Sequence, residues 1–183
     1  MKRLSKHIGL LGNLGEFRFK RWLDGHASEV LDEIGVKDGQ IVLDFGCGSG
    51  TYTIPAAKLV GKNGKVYALD VSSKALDRVE KRARQEGLSN IIRIDATGEE
   101  NILLKDNTID LVLLIDVLKD VNDRESLLKE VYRVLRPNGN LTVFPMHMAA
   151  EEVEKLATHT GFKMNDKKFQ HILIFRKAPE HLE

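Results

Sequence analysis

The chain has 183 residues, of which 42% are hydrophobic and 30% are charged, and its formal net charge at pH 7 is +1. This balance is typical of one water-soluble globular domain, and the small charge excludes a protein that attracts nucleic acid through its overall field. No apolar run of about 18 residues predicts a membrane-spanning helix, and no apolar stretch of a signal peptide follows the basic start. One cysteine excludes an internal disulfide, and scattered histidines predict no metal site. We therefore expect no metal, no membrane contact and a cytoplasmic location.

Residues 1–23 form a basic first segment with a net charge of +5, six basic residues minus Glu16. The basic residues are Lys2, Arg3, Lys6, Arg18, Lys20 and Arg21. Three aromatic residues lie among the last of them: Phe17, Phe19 and Trp22. Early glycines predict a flexible or lid-like arm, before a helix over Asp24–Ile34. The aromatic–basic cluster has three interpretations: an amphipathic helix packed on the domain, a lid over the substrate, or a surface that stacks on nucleic acid.

Strands and helices alternate after this arm. Five continuous apolar runs predict strands that are buried on both faces: Ile41–Phe45, Val66–Leu69, Ile91–Ile94, Ile109–Ile115 and Leu141–Phe144. Helical spacing predicts helices over Ser72–Glu86, capped by Ser72 or Ser73, and over Arg124–Leu135, ended by Arg136–Gly139. The alternation predicts parallel strands with crossover helices.

The end of the chain has a different pattern. A helix is predicted over Ala149–Thr160, followed by strands Phe162–Phe169 and His171–Lys177, which are close enough to pair antiparallel. Since no linker or repeat interrupts the chain, we expect one domain over residues 24–177 and a short tail over residues 178–183.

The segment Asp44–Gly50 (DFGCGSG) joins the first strand to a helix predicted to begin near Thr51. Its alternating glycines permit positive φ and let a ligand approach the backbone, and the helix start offers free N–H groups. A dinucleotide loop (G-x-G-x-x-G) beginning at Gly46 would need glycine at position 51. The carboxylate of Asp44 would repel a pyrophosphate but would suit an ammonium group. The pattern therefore favours a positively charged ligand over NAD.

Two further acids follow the next two strands. Asp70 lies twenty residues after Gly50 (70 − 50), where its carboxylate can accept hydrogen bonds from ribose hydroxyls. Asp95 follows the third strand and can accept a hydrogen bond from an adenine amino group. A single acid after a strand is an ordinary turn residue. Three acids after three consecutive strands predict a nucleoside-binding crevice.

These segments resemble a known family. VLDFGCGSG, ALDVSS and IDA resemble the nucleotide-binding motifs of class I S-adenosylmethionine-dependent methyltransferases. LLKDNTIDLVLLIDVL and LLKEVYRVLRPNGNL resemble the fourth-strand region and the helix-to-fifth-strand signature of that family. The similarity covers residues 25–177 and is strongest to small methylases related to the ubiquinone/menaquinone biosynthesis enzymes. It implies a doubly wound, Rossmann-like α/β fold: a mostly parallel seven-stranded sheet with one antiparallel strand near the C-terminus and helices on both faces.

The resemblance also implies a site for S-adenosylmethionine, with S-adenosylhomocysteine as product. It assigns the methionine ammonium to Asp44, the methionine loop to Gly46, Cys47, Gly48 and Gly50, the ribose to Asp70, the adenine to Val71, Asp95 and Ala96, and the transferred methyl to Ile115 and Asp116. Two positions depart from the family pattern. Lys119-Asp120 stands where relatives often carry histidines, and Ile94 stands where glycine is usual, so the acceptor stays open.

Methyl transfer from a sulfonium is an in-line displacement that depends mainly on positioning and needs no catalytic triad. If the acceptor needs a base, the candidates are Asp116 and His147, for which a cofactor-binding or turn role and an ordinary surface position are the alternatives. We interpret Cys47 as a small loop residue, not a nucleophile.

The sequence thus predicts a methyltransferase for a small molecule, with no prediction of oligomeric state. The alternatives are an RNA or protein methyltransferase, for which no recognition module is present, and a catalytically idle cofactor-binding subunit that serves in protein interaction.

Overall fold

The computed structural model describes residues 15–97 and 101–178. Most of the predicted N-terminal arm, residues 1–14, and most of the predicted tail, residues 179–183, lie outside the described residues. The short segment 98–100 between the third and fourth strands also lies outside them.

A seven-stranded sheet forms the centre of the described structure, in the order β3-β2-β1-β4-β5-β7-β6. Its strands are β1 (Ile41–Phe45), β2 (Lys65–Asp70), β3 (Ile91–Asp95), β4 (Ile109–Ile115), β5 (Leu135–Phe144), β6 (Phe162–Lys168) and β7 (Ile172–Lys177). Strands β1 to β5 pair in parallel, and β7 is antiparallel to both β5 and β6. The predicted doubly wound fold, with its antiparallel strand near the C-terminus, is confirmed.

Helices cover both faces of this sheet. The described helices are α1 (15–25), α2 (Ala27–Glu33), α3 (Thr53–Val60), α4 (Ser73–Gln85), α5 (Arg124–Val134) and α6 (Ala150–His159), together with a 3-10 turn over Leu118–Asp120. Helices α1 to α4 lie on one face and α5, α6 and the 3-10 turn on the other, because alternate strand residues point to opposite faces and bury apolar clusters on both. None of these helices combines the length and the apolar character needed to cross a bilayer.

Local sequence explains where several helices begin. The hydroxyl of Ser72 accepts a hydrogen bond from the backbone N–H of Ala75 at 3.3 Å and so caps α4, as predicted. The carboxylate of Asp123 accepts one from Ser126 N at 2.9 Å and caps α5. Pro55 lies in the first turn of α3, where its missing N–H costs nothing.

Three boundaries differ from the sequence-based predictions. The helix predicted over Asp24–Ile34 is divided, since His26 has a non-helical backbone (φ −119°, ψ 27°) between α1 and α2. The helix after the glycine loop begins at Thr53, because the turn made by three positive-φ glycines needs two more residues than we expected. Strand β5 begins at Leu135, and its register against β4 breaks before Asn140. The turn-forming residues therefore make an irregularity inside a strand, where Asn138 has φ 65°.

Candidate active site

The glycine loop is a sharp turn at the carboxyl end of β1. Gly46, Gly48 and Gly50 all have positive φ (72°, 53° and 83°), which other residues rarely adopt. The N–H groups of Gly46 and Cys47 both donate to the carbonyl of Leu69, at 2.8 and 3.0 Å, and so fix the loop to β2. A Cβ at Gly46 would lie 2.6 Å from a side-chain carbon of Val117, so this glycine is required by packing as well as by conformation.

Asp44 lies at the base of this loop and is the one buried carboxylate there, with 2% of its surface exposed. Its Oδ2 accepts a hydrogen bond from the Thr53 hydroxyl at 2.6 Å. Burial, opposed by that hydrogen bond, raises the pKa of Asp44 to about 6. A carboxylate held at such a cost is stabilised by a cationic partner, so its position fits the ammonium group of a ligand.

Asp70 connects the glycine loop with the start of α4. Its Oδ2 accepts a hydrogen bond from the N–H of Gly48, and its Oδ1 accepts one from the N–H of Ser72, both at 2.8 Å. Each oxygen keeps a second lone pair. The carboxylate is therefore held in one orientation and can still accept hydrogen bonds from two neighbouring hydroxyl groups.

A crevice of about 340 Å³ lies over the carboxyl ends of β1, β2 and β4, within the range of ~300–1,000 Å³ that is usual for ligand sites. Asp70, Asp116 and Asp120 are its charged lining residues. Its apolar lining residues are Phe45, Leu69, Val71, Ala96, Val117 and Val121. Val71 is 71% exposed, so its side chain is accessible on the wall of the crevice.

The crevice brings together only some of the predicted cofactor residues. Gly46, Asp70, Val71, Ala96 and Asp116 line it, and Asp44, Cys47, Gly48 and Gly50 belong to the loop that borders it. Ile115 instead packs with the apolar cluster on the α1–α4 face of the sheet.

Asp95 is held by a neighbour that the sequence reading overlooked. Arg93 binds both of its carboxylate oxygens, at 2.6 and 2.8 Å, and Ser73 donates a third hydrogen bond. These bonds, Arg93 first, lower the pKa of Asp95 to about 2. Arg93 also pairs with Asp77 and Glu80 on α4. The sequence contained a signal for this ion pair, because Arg93 lies two residues before Asp95 on one strand and residues at that spacing share a face of the sheet.

The end of β4 carries the first candidate base. Asp116 has φ 60° and donates its backbone N–H to Phe144 O on β5. Lys119 Nζ lies 3.0 Å from Asp116 Oδ1 and 2.7 Å from a carboxylate oxygen of Asp120. Partial burial lowers the pKa of Lys119, but hydrogen bonds to Asp120 and Asp116 outweigh that effect and raise it overall. Lys119 is therefore an ammonium group that lies between the carboxylates of Asp116 and Asp120.

The second candidate base, His147, lies after β5 in a left-handed conformation (φ 62°). Its ring Nδ1 lies 3.1 Å from a carboxylate oxygen of Glu16 on α1, and Phe17 packs edge-on against the ring with centroids 5.4 Å apart. His147 does not line the crevice described above. Its contacts join α1 to the loop after β5.

The single cysteine is buried, and its Sγ lies 3.8 Å from the carbonyl of Gly48. Burial, with Asp44 and Asp70 nearby, raises the pKa of Cys47, so the group is a thiol at neutral pH. This agrees with a small loop residue and not with a nucleophile. Within residues 15–97 and 101–178, no cluster of three His, Cys, Asp or Glu side chains is arranged to hold a metal ion.

Two consecutive residues at the start of α3 bind two acids, a connection that the sequence analysis did not predict. Thr53 binds Asp44, and the preceding Tyr52 donates its hydroxyl hydrogen to Asp24 on α1 at 2.7 Å. Lys20 binds both oxygens of Asp24, at 2.6 and 2.8 Å. The i to i+4 spacing of Lys20 and Asp24 was visible in the sequence, but the long-range contact with Tyr52 was not.

Comparisons with known proteins agree with this geometry. A family model described as a methyltransferase domain matches residues 36–177. A demethylmenaquinone methyltransferase of Lactobacillus johnsonii is 30% identical over 88% of the chain and 65% of the relative. A ubiquinone/menaquinone biosynthesis C-methyltransferase, UbiE, of Hydrogenovibrio crunogenus is 33% identical over 76% and 54%. The chain thus spans about half to two thirds of the length of these relatives.

A crystal structure of a SAM-dependent methyltransferase from Aquifex aeolicus has a similar fold. Its TM-score is 0.72 at 25% identity, and the match covers 82% of this chain and 87% of that one. The sequence motifs, the crevice and the comparisons identify the same family. The chain belongs to the methyltransferase domain family, in the class I group whose cofactor is S-adenosylmethionine.

Proposed function

We propose that the protein transfers the methyl group of S-adenosylmethionine to a small, apolar, aromatic molecule by in-line displacement. The observation that carries this proposal is the convergence of the glycine loop, the buried Asp44 and the oriented Asp70 on one crevice with apolar walls. When bound, S-adenosylmethionine supplies an electrophilic methyl group on a positively charged sulfur.

The residues of the crevice bind and orient this cofactor. Asp44 faces the ammonium group, and the free lone pairs of Asp70 accept hydrogen bonds from the ribose hydroxyls. Val71 and Ala96 pack on the adenine, and Asp95 accepts a hydrogen bond from its amino group. Because such positioning fixes the angle of attack, it provides most of the catalysis.

The acceptor is proposed from the apolar surroundings of the methyl-transferring end. Next to Asp116, at the end of β4, the crevice has the apolar lining residues Phe45, Val117 and Val121. These side chains suit a flat apolar ring. The two relatives named above are a demethylmenaquinone methyltransferase and a ubiquinone/menaquinone biosynthesis C-methyltransferase, which supports a quinone-like acceptor.

Where the acceptor must lose a proton, we propose Asp116 as the base in preference to His147. Asp116 lines the crevice and lies 3.0 Å from Lys119, whereas His147 is paired with Glu16 away from the crevice. Replacement by Asp116→Asn is expected to reduce turnover while cofactor affinity changes much less. Equal losses of turnover and affinity would assign Asp116 to cofactor binding instead.

Two measurements test the proposed function. Calorimetry is expected to show binding of S-adenosylmethionine and S-adenosylhomocysteine and none of NAD; tight NAD binding with no response to the other two would contradict the proposal. A tritiated methyl-donor assay is expected to label an organic-solvent extract of cells. Label confined to the RNA or the protein fraction would replace the small-molecule acceptor by a macromolecular one, and label in none would indicate a catalytically idle subunit. The cytoplasmic location stays a prediction, which cell fractionation tests.

A further inference from the structure

The outer side of α1 exposes aromatic and basic residues together with the neighbouring hairpin. We call these five residues the aromatic–basic face: Phe17, Arg18, Arg21, Trp22 and Phe169. The three aromatic side chains are 56%, 38% and 37% exposed, in the order of the sequence. Large exposed rings that lie close together indicate a surface that contacts another molecule.

Contacts with the hairpin between β6 and β7 make this face continuous. Phe169 and the next residue, Gln170, both have positive φ (48° and 62°), so the hairpin turns sharply at this point. The ring of Phe169 lies 5.4 Å from the ring of Trp22. Two elements that are far apart in the sequence therefore present their rings side by side.

The charges of the face are positive and unneutralised. In the part of the chain that the structure describes, no acidic side chain pairs with Arg18 or Arg21. The nearest acids along α1 are engaged elsewhere, Glu16 by His147 and Asp24 by Lys20. By sequence, the segment 1–23, which includes Arg18 and Arg21, has an excess of five positive charges (six basic residues minus one acid). The partner of the face is therefore anionic.

The arrangement of the rings favours lipid over nucleic acid. Trp22 stacks on Phe19 on its N-terminal side (5.7 Å, 26°) and on His26 on its C-terminal side (4.8 Å, 21°). Trp22 therefore already stacks on two rings of this chain, which leaves it less available as a stacking platform for a base. Exposed aromatic edges beside basic residues are typical of helices that lie in the headgroup region of a bilayer.

We infer that the aromatic–basic face docks the protein on the surface of a membrane that contains anionic lipids. The sequence predicted no membrane contact because no segment spans a bilayer, and surface docking requires no such segment. The purpose of this docking rests on the proposed function, because an apolar acceptor dissolves in a bilayer. A cavity of about 270 Å³, lined in part by Glu16, Phe144 and Lys167, lies between α1 and the end of β5 next to this face.

Sedimentation with lipid vesicles tests the inference on the full chain. Vesicles of phosphatidylcholine and phosphatidylglycerol (3:1) are expected to bind the protein, and vesicles of phosphatidylcholine alone are expected to bind it far less. The double variant Arg18→Gln/Arg21→Gln is expected to bind the anionic vesicles about 30-fold more weakly, from the contribution that each basic residue makes near an anionic surface. Phe17→Ser is expected to weaken the binding while leaving its salt dependence unchanged.

The double variant Lys62→Gln/Lys65→Gln is the matched control. It also removes two positive charges, but from exposed lysines at the amino end of β2, outside the aromatic–basic face. An equal loss of vesicle binding in this control would overturn the inference, as would equal binding to neutral vesicles or no binding at all. So would a dimer that Phe17→Ser dissociates, or a single-stranded oligonucleotide that binds through the same arginines without vesicle binding. Calorimetry with S-adenosylhomocysteine separates the two proposals: cofactor binding without vesicle binding defeats only the docking, and vesicle binding without methyl transfer defeats only the proposed function.

Discussion

Two acids of the proposed cofactor site, Asp44 at its methionine end and Asp95 at its adenine end, are held by the protein in opposite ways. At the methionine end, Asp44 is buried beside Thr53, and burial raises its pKa to about 6. At the adenine end, Asp95 is half exposed and bound by Arg93, which lowers its pKa to about 2. The charge of Asp44 thus costs stability until a cation arrives, whereas the charge of Asp95 is already neutralised by the protein.

This difference teaches where the binding free energy for the cofactor comes from. A desolvated carboxylate without a basic side chain gains most from a cationic ligand, because the ligand replaces a missing partner. A carboxylate that is already bound by a bidentate arginine gains little further electrostatic stabilisation from a ligand. Its main contribution is an oriented hydrogen-bond acceptor. We therefore expect the methionine end to dominate affinity and the adenine end to refine it.

The strongest test of this comparison is Asp44→Asn, which keeps an oxygen that can accept the Thr53 hydrogen bond and removes the charge. Affinity for S-adenosylhomocysteine is expected to fall about 100-fold in calorimetry, as for the loss of a charged hydrogen bond. The cofactor-free variant is expected to be more stable than the wild type by about 2–3 kcal/mol at pH 8 in urea unfolding. The gain should disappear toward pH 4, because a carboxyl group whose folded pKa is raised destabilises only when it is ionised. A variant that binds normally would contradict the assignment of Asp44.

Asp70→Ala should have the next largest effect, because this residue serves both ends. It removes the ribose acceptor and also frees the N–H groups of Gly48 and Ser72. We expect a loss of cofactor affinity of about 1–3 kcal/mol. Asp70→Asn, which retains one acceptor oxygen, should lose less. Unchanged calorimetric affinity in both variants would show that the ribose is held elsewhere.

The pH dependence of cofactor binding sharpens the comparison without a mutation. Because the cofactor is proposed to bind the ionised form of Asp44, wild-type affinity is expected to be highest near pH 7 and to fall about tenfold by pH 5. Asp95, with its pKa near 2, should add nothing over this range. Asp44→Asn should therefore abolish the dependence and Asp95→Asn should retain it. A pH dependence that persists in Asp44→Asn would assign the titration to another group.

Arg93→Gln is expected to have the smallest effect. Without the arginine, the pKa of Asp95 should rise toward its ordinary value, and affinity at pH 7 should fall about threefold, as for other partly exposed ion pairs. Below pH 5 the variant should lose affinity faster than the wild type in calorimetric titrations. Parallel pH profiles for the two proteins would show that Arg93 does not set the ionisation of Asp95.

Much of the fold was predictable because its signals are local and repeated. The continuous apolar runs from Ile41 onward located five strands, and the terminal hairpin was evident from two closely spaced strands. The wrong boundaries lie in segments whose local sequence is compatible with two backbone structures. Arg136–Gly139 has the composition of a loop, yet the same residues form an irregular start to β5, because the register across β4 and not the local sequence decides between them.

The site was predictable only in part, for a different reason. The residues of the glycine loop and Asp70 are marked by their spacing, and of these Gly46 and Asp70 line one crevice. The partners of these acids depend on long-range contacts such as Tyr52 with Asp24, which no single sequence displays. Arg93 was visible two positions before Asp95, but the role of an arginine on a strand depends on which acids of α4 pack above it.

The first turn of α3 has a consequence for the sequence of events in a catalytic cycle. Thr53 and Tyr52 are consecutive, and they hold Asp44 of the cofactor loop and Asp24 of α1. A cation that binds Asp44 therefore affects the start of α3, where Tyr52 also holds α1 above the ends of β4 and β5. We therefore expect ordered binding, in which the methyl donor binds first and fixes α1 in place before the acceptor binds.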